Sequence, residues 1–209
     1  MHSYPFVKGV FYFQKGQMHM LTHKGTQTIT TDRLILRRFQ VDDAQAMYNN
    51  WANDERVTRF LTWVPHESCE ITRQILESWC AAYENLNSYN WVIEFEGTIV
   101  GNISVVRISE ASECAELGYC MGFDYWRKDI MPEAAGAVIH FLFAEVGFNR
   151  IGISHAVKNP ASGRVAQKCG LTFEGTKREY FKASNGEFLD ISDYGILKKD
   201  WEAMNMLLL

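Results

Sequence analysis

The chain has 209 residues, of which 47% are hydrophobic, and its 21 basic and 25 acidic side chains give a net charge of -4 at pH 7. This length can bury one sizeable core and requires no second domain, so a single domain is predicted. The acidic balance gives a nucleic-acid backbone no general electrostatic attraction, so direct binding of nucleic acid is not expected.

The cysteines and the N-terminal residues indicate the compartment. Five cysteines are an odd number, and none of them forms a CxxC pair, so reduced structural thiols are predicted. The apolar residues 10–13 are too few for the core of a signal peptide, and they lie between Lys8 and Lys15. We therefore expect a cytoplasmic protein with no membrane segment.

The domain organisation follows from the first and last predicted elements. We interpret residues 1–29 as a leader, tag or extension, residues 30–203 as the domain and residues 204–209 as a C-terminal tail. No repeat, low-complexity run or linker occurs between Thr31 and Trp201, which favours one mixed α/β unit around a single sheet.

The first half of the domain is predicted to contain a strand, two helices and a hairpin. Residues 33–37 are typical of a short strand, and a helix is expected from Asp42 through Trp51. Residues 71–79 place apolar side chains at helical spacing. Two alternating segments within residues 91–106 are separated by Glu-Gly, which predicts a hairpin.

The second half is predicted to alternate strands and helices before it closes with a hairpin. Strands are expected at residues 114–121 and 151–157, and a helix with Pro in its first turn is expected to run to Val146. A second helix should begin after Asn159 and end at Gly170. The last two strands, 171–181 and 188–197, are separated by the turn signal Asn185-Gly186.

A basic turn precedes the third predicted helix. Arg127 and Lys128 lie where a strand leads into a helix, and the N–H groups and dipole at such a helix start stabilise an anion. The turn is typical of a site for a phosphate-bearing ligand, although a solvated basic turn would have the same composition.

Four separated motifs, spanning about residues 31–201, resemble the GNAT N-acetyltransferases. Residues 115–134 look like the acetyl-CoA-binding motif of that family, and Asn159 and Ser162 reproduce its Asn-x-x-Ser pattern. The opening residues 31–37 and the closing residues 193–197 with Trp201 are similar to the RimJ/RimL-like branch, which includes the ribosomal-protein N-terminal acetyltransferases.

The resemblance implies the GNAT fold: an α/β (α+β) domain with a mixed, mostly antiparallel sheet, one splayed pair of parallel strands and about four helices. It implies acetyl-CoA as co-substrate, with its pantetheine arm on the free backbone of Cys120, Met121 and Gly122. The pyrophosphate would lie on the amides of Arg127, Lys128, Asp129, Ile130 and Met131, with Asn159 also in contact and Ser162 near the sulfur.

Asp129 departs from the family pattern, which usually has Gly there because a missing side chain lets the backbone approach the pyrophosphate. A carboxylate adds like charge and bulk. Arg127, where this branch often has Gly, offsets that charge in one interpretation, and in another Asp129 points outward and caps the following helix.

Acetyl transfer to an amine requires a group that accepts a proton and a donor for the developing oxyanion. The resemblance implies the Met121 N–H as that donor. We expect Glu116 as the base, with Asp124 as the second candidate, and Ser162 to protonate the departing thiolate. The alternatives are a structural ion pair for Glu116 and helix capping for Ser162.

The remaining residues leave the acceptor open. Cys120 is interpreted as packing, and no His has a second metal ligand at suitable spacing, so no metal is expected. Trp63 and His66 lie in the loop that shapes the acceptor site in this family. The acceptor is expected to be an amine such as a ribosomal-protein N-terminus; the alternatives are a metabolite, polyamine or antibiotic, or a non-catalytic binding module. A monomer and a homodimer fit equally well.

Overall fold

The computed structural model describes residues 21–184 and 186–206. Within these ranges it contains one sheet of eight strands. The strands are β1 (Ile29–Thr30), β2 (Leu34–Arg37), β3 (Asn90–Phe95), β4 (Thr98–Ser109), β5 (Cys114–Met121), β6 (Arg150–Ala156), β7 (Thr172–Lys182) and β8 (Phe188–Leu197).

Six α-helices flank the sheet within the same ranges, where the sequence indicated about four. They are α1 (Ala44–Met47), α2 (Glu55–Thr58), α3 (Cys69–Ala82), α4 (Ile130–Phe141), α5 (Pro160–Lys168) and α6 (Lys198–Met206). The π-helical turns Tyr48–Ala52 and Leu142–Val146 continue α1 and α4. The additional helices are α2, a single turn too short to show apolar periodicity, and α6, which has no buried residue.

The strands lie in the order β1-β2-β3-β4-β5-β6-β8-β7, and every neighbouring pair except one is antiparallel. The exception is the parallel pair β5 and β6, which is in register from Cys114 opposite Arg150 to Leu117 opposite Ile153. Beyond Leu117 the two strands continue without pairing to each other. The mixed sheet and its splayed parallel pair are therefore confirmed.

The predicted hairpins have the expected turn chemistry where they can be seen. Glu96 and Gly97, between β3 and β4, have φ angles of 51° and 74°, as a two-residue turn with two positive φ values requires. β7 and β8 pair antiparallel, although Asn185 of the predicted turn lies outside the described residues.

Hydrophobic side chains bury both faces of the sheet. Ala115 and Leu117 of β5 pack with the apolar stripe of α4, including Val138. Cys120, which points to the opposite face because side chains alternate along a strand, packs with the cluster that contains Trp51 of the first helical segment. The splayed end of β5 therefore lies between two packed layers.

The described part of the predicted leader belongs to the packed structure. The Thr22 N–H donates to the Val146 carbonyl at 2.9 Å, and the Gly25 N–H donates to the Leu86 carbonyl at 2.7 Å. Residues 1–20 lie outside the described residues. No helix in the described ranges is long and apolar enough to cross a membrane.

Candidate active site

The open edge of β5 faces the gap between β5 and β6. The Gly122 N–H donates to the Val100 carbonyl at 2.8 Å, so the backbone of Gly122 faces β4. Backbone groups alternate in direction along an antiparallel strand, so Cys120 also bonds to β4 while Tyr119 and Met121 face β6. The indole N–H of Trp126 donates to the Met121 carbonyl at 2.7 Å.

Because of this alternation, fewer residues at the end of β5 offer free backbone groups than the three that were predicted. Gly122 is fully engaged, since its carbonyl accepts from the Tyr125 N–H at 3.0 Å. The backbone of Cys120 is committed to Asn102 in the β4 ladder. Of the three residues predicted to offer free backbone, Met121 has an N–H directed into the gap. The prediction of free backbone at Cys120 and Gly122 was wrong, because alternate residues of a sheet strand face opposite neighbours.

A turn with left-handed backbone precedes α4. Arg127 and Asp129 have φ angles of 62° and 57°, a region that favours glycine because a Cβ crowds the backbone there. Within the described ranges the N–H groups of residues 127–129 have no acceptor, and those of Ile130 and Met131 lie in the first turn of the helix. Five N–H groups therefore surround the positive end of the α4 dipole, which is an arrangement suited to a phosphate.

The Asp129 side chain bonds to Lys168 and makes no capping hydrogen bond to these amides. Its Oδ1 lies 2.5 Å from Nζ of Lys168 in α5, and the side chain is 64% exposed. Asp129 occupies the N-cap position of α4 but makes no capping hydrogen bond, so the predicted cap was wrong. The reason is its left-handed backbone, since a capping side chain normally extends from a β-region residue.

Arg33, which was not predicted as a site residue, bonds to the turn that precedes α4. Its Nη1 donates to the Lys128 carbonyl at 3.2 Å, and its Nε donates to Glu133 Oε2 at 2.7 Å. The C=O of Lys128 and the N–H of Asp129 belong to one planar trans peptide and point in opposite directions. Because Arg33 binds the Lys128 carbonyl, the Asp129 N–H points away from Arg33.

The Glu133 carboxylate that binds Arg33 also accepts a hydrogen bond from Thr31. Thr31 Oγ1 donates to Glu133 Oε1 at 2.6 Å. Burial opposes ionisation of Glu133, but the hydrogen bonds from Thr31 and Arg33 and the charge of Arg33 outweigh it and lower its pKa. A signal was present in the sequence, because Thr31 and Arg33 lie in the opening motif.

A hydrogen bond links β5 to the start of α5. The Tyr119 hydroxyl lies 2.9 Å from Ser162 Oγ and donates to the Ser162 carbonyl at 3.1 Å. Burial raises the pKa of Tyr119 far above its ordinary value, so the phenol stays protonated. Tyr119 was not among the predicted site residues, although its position on β5, two residues from Met121, could have indicated it.

Asn159 lies at the end of β6, beside the gap. Its N–H donates to the Ala156 carbonyl at 2.7 Å, and its carbonyl accepts from the Ser162 N–H at 3.2 Å. Its side chain makes no capping hydrogen bond to α5. The half-buried carboxamide is therefore available to a ligand.

Glu116 points to the other face of the sheet, on the same side as Cys120. Its carboxylate forms an ion pair with Arg107 of β4, and the charge of Glu116 raises the pKa of Arg107. Glu116 is 21% exposed and Arg107 is 64% exposed, so solvent reaches the guanidinium more readily than the carboxylate. The ion pair that was the alternative interpretation of Glu116 is therefore present in the structure.

Glu116 lines a cleft of about 290 Å³ on this face. The cleft contains three acid–base pairs, formed between β4 and β5, between β6 and β7, and between β7 and β8. They are Arg107 with Glu116, Arg150 with Glu174, and Lys177 with Asp193 at 3.0 Å. The cleft adjoins the gap, since the parallel pairing ends at Leu117, one residue beyond Glu116.

The remaining predicted residues, Asp124, Trp63 and His66, do not line the cleft. Asp124 is exposed in the 3-10 turn Phe123–Tyr125 and lies outside the residues that line the cleft. Trp63 and His66 do meet, with ring centroids 5.1 Å apart, and Trp63 packs against the cluster that includes Cys120. Phe60 of the same loop packs against the buried cluster that also contacts Phe181 of β7, so the loop reaches the face that carries the cleft.

The Cys120 thiol is half-buried and protonated. Its Sγ donates to Asn102 Oδ1 at 2.9 Å, and burial raises its pKa to about 12. A thiol in this state is a poor nucleophile. Across the described residues the five cysteines are free thiols, and no three His, Cys, Asp or Glu side chains are grouped as metal ligands.

Comparison with known proteins gives consistent matches. A family model described as an acetyltransferase (GNAT) domain matches residues 33–172. The uncharacterized N-acetyltransferase YoaA of Bacillus subtilis (strain 168) is 33% identical over 172 residues, which cover 81% of this chain and 96% of the relative. The ribosomal-protein-serine acetyltransferase of Escherichia coli (strain K12) is 27% identical over 113 residues, 54% of this chain and 63% of that protein.

Solved structures share the fold. RimL, a ribosomal L7/L12 alpha-N-protein acetyltransferase in complex with coenzyme A, superposes with a TM-score of 0.76 at 21% identity, covering 83% of this chain and 99% of that chain. The microcin C7 self-immunity acetyltransferase MccE, in complex with acetyl-CoA and AMP, superposes with a TM-score of 0.73 at 23% identity, covering 85% and 98%. At these identities the likeness concerns the fold.

Proposed function

Since the chain belongs to the GNAT acetyltransferase family, we propose that it transfers the acetyl group of acetyl-CoA to the free amino terminus of a protein. The observation that best supports acetyl transfer is the gap between β5 and β6, which ends at free amides before α4. The ribosomal-protein-serine acetyltransferase among the relatives supports the choice of acceptor.

The residues present fit acetyl-CoA. The Met121 N–H offers a donor in the gap, the amides of residues 127–131 offer a site for the pyrophosphate, and the Asn159 carboxamide lies beside them. The Asp129 carboxylate, which could have blocked the amides, is held on Lys168 instead. When bound, acetyl-CoA supplies a thioester whose carbonyl carbon is open to attack by an amine.

Three groups have chemical roles in this proposal. The Met121 N–H donates to the thioester oxygen as negative charge develops on it, and such a donor is worth about 100-fold or more in rate. Ser162 Oγ gives its proton to the departing sulfur and regains a proton from water. The Tyr119 hydroxyl holds Ser162 in place by donating to its carbonyl and lying within hydrogen-bond distance of Oγ. Tyr119 is then a positioning residue, and Ser162 is the acid.

Glu116 is proposed as the group that receives the proton of the incoming ammonium. It is the carboxylate of the cleft that lies nearest in sequence to the end of the parallel pairing. Arg107 competes with the ammonium for it, and the exposure of Arg107 allows that side chain to move into solvent. Glu174 and Asp193 of the same cleft are paired with Arg150 and Lys177, so neither carboxylate is as close to the end of the parallel pairing as Glu116 or free of a cation.

The test combines ligand binding with an acceptor screen. Acetyl-CoA at 100 times its Kd should stabilise the native state by about 2.7 kcal/mol, which a thermal shift detects. Thiol release should then occur with peptides that have free N-termini and not with the same peptides N-acetylated. No thermal shift at millimolar acetyl-CoA would contradict the transferase, whereas release only with polyamines or other small amines would contradict the acceptor alone.

A further inference from the structure

An ion pair joins the two helices that border the proposed cofactor site. Asp129 begins α4 and Lys168 lies in the last turn of α5, with 2.5 Å between Oδ1 and Nζ. Asp129 is also one of the residues whose N–H groups form the proposed pyrophosphate site. A carboxylate is thus attached to the backbone that would bind a diphosphate.

An uncompensated carboxylate would weaken that site. Two unit charges about 7 Å apart in water repel enough to change a binding constant about threefold. A diphosphate carries two such charges, so the total penalty is about sevenfold. Some nearby cation has to neutralise Asp129 if the site is to bind a diphosphate well.

Lys168 is the cation in position to do so. Arg33 is engaged by Glu133 and by the Lys128 carbonyl, and the Lys128 ammonium lies 5.1 Å from the centre of the Tyr125 ring. Within the described ranges, the ion pair formed by Asp129 is the one with Lys168. The pair also holds the carboxylate on α5, and the carboxylate makes no hydrogen bond to the start of α4.

We propose that Lys168 is the compensating charge that allows this phosphate-binding turn to carry Asp in place of Gly. Because Lys168 belongs to α5 and acts on Asp129, α5 influences the affinity of the turn for CoA. The proposal rests on the proposed function, because it concerns the same site. It assigns Lys168 a positioning and neutralising role and no direct part in acetyl transfer.

The experiment is a double-mutant cycle on CoA binding, measured by calorimetry at about 20 mM salt, where screening is weak. Lys168→Met should weaken binding of CoA about five- to tenfold. Asp129→Gly should bind CoA at least as tightly as the wild type. In the Asp129→Gly background, Lys168→Met removes only the direct attraction between Lys168 and the diphosphate and releases no carboxylate. The loss of affinity should therefore be clearly smaller there than in the Asp129 background.

Lys24→Met provides the matched control. Lys24 and Glu145 form an exposed pair, also 2.5 Å apart, at the opposite end of the α4 segment. This variant should leave CoA affinity unchanged, and the loss in Lys168→Met should shrink at about 0.5 M salt because the Debye length falls. Thermal unfolding without ligand verifies that each variant is folded.

The outcomes separate the two proposals. Absence of CoA binding to the wild type would overturn the proposed function and this inference with it. If the wild type binds, an equal loss from Lys168→Met in both backgrounds would show that Lys168 acts independently of Asp129, and this inference would be wrong. If Lys168→Met leaves CoA affinity unchanged in the chain that retains Asp129, this inference would be wrong as well.

Discussion

The Tyr119 hydroxyl on β5 lies 2.9 Å from the Ser162 hydroxyl on α5, so a hydrogen bond links the two sides of the gap in which the transfer is proposed to occur. Ser162 alone was expected from the sequence. The structure adds a half-buried, protonated phenol within hydrogen-bond distance of its Oγ.

Tyr119→Phe removes the hydroxyl and keeps the ring. We expect kcat to fall about tenfold or more, since the acid loses its orientation, while KM for acetyl-CoA changes less than about twofold. Tyr89→Phe is the control, because the Tyr89 hydroxyl likewise bonds to another side chain, His23, and burial raises the pKa of Tyr89 to about 12. A Tyr119→Phe enzyme with full kcat would remove the phenol from the mechanism.

Glu116→Gln tests the proposed base. Loss of the proton acceptor should lower kcat about 100-fold, with CoA affinity by calorimetry unchanged. Glu174→Gln is matched to it, since both carboxylates pair with an arginine in the same cleft, and it should stay within a few-fold of the wild type. Equal effects of the two substitutions would mean that Glu116 serves only as an ion-pair partner.

Arg127 tests the backbone of the phosphate turn. At its φ of 62°, Gly should make the protein about 1 kcal/mol more stable than Ala, because a Cβ is unfavourable in the left-handed region. Urea unfolding of Arg127→Gly and Arg127→Ala measures the difference. Arg164, in the interior of α5, should show the reverse order, with Ala the more stable. An Arg127→Ala protein as stable as Arg127→Gly would contradict the assigned conformation.

His66 gives a pH dependence with a defined sign. Burial lowers its pKa below 6.5, so its contribution to stability is fully present above pH 6.5 and is lost as the pH falls through the lowered value. The free energy of unfolding should fall between pH 7.5 and 5.0, and His66→Gln should reduce that fall. His140→Gln, at an exposed position of α4, should leave it unchanged. An identical pH slope in the wild type and His66→Gln would rule out burial of the imidazole.

The order of elements could be predicted because strong local signals mark it. Alternation in β5, the Glu96-Gly97 turn and Pro160 at the start of α5 each act over a few residues. The splayed strands were implied only by family resemblance, since pairing between β5 and β6 depends on residues about 36 apart in sequence.

The contacts that complete the site could not be predicted from local patterns. Arg33 reaches Lys128 and Glu133 across about 100 residues, and Lys168 reaches Asp129 across 39. These contacts depend on the packing of separate elements, which neither periodicity nor capping rules specify. The direction of the free N–H groups on β5 likewise required the register with β4.

The central claim is that acetyl-CoA binds in the gap between β5 and β6 and on the turn before α4. Amide hydrogen exchange measured with and without acetyl-CoA tests it most directly, because the N–H groups of Met121 and of residues 127–129 lack acceptors within the described chain in the absence of ligand. We predict slower exchange on acetyl-CoA binding in peptides that cover residues 119–121 and 127–131, with little change in α6. Unchanged exchange in both segments under saturating acetyl-CoA would contradict this placement of the site.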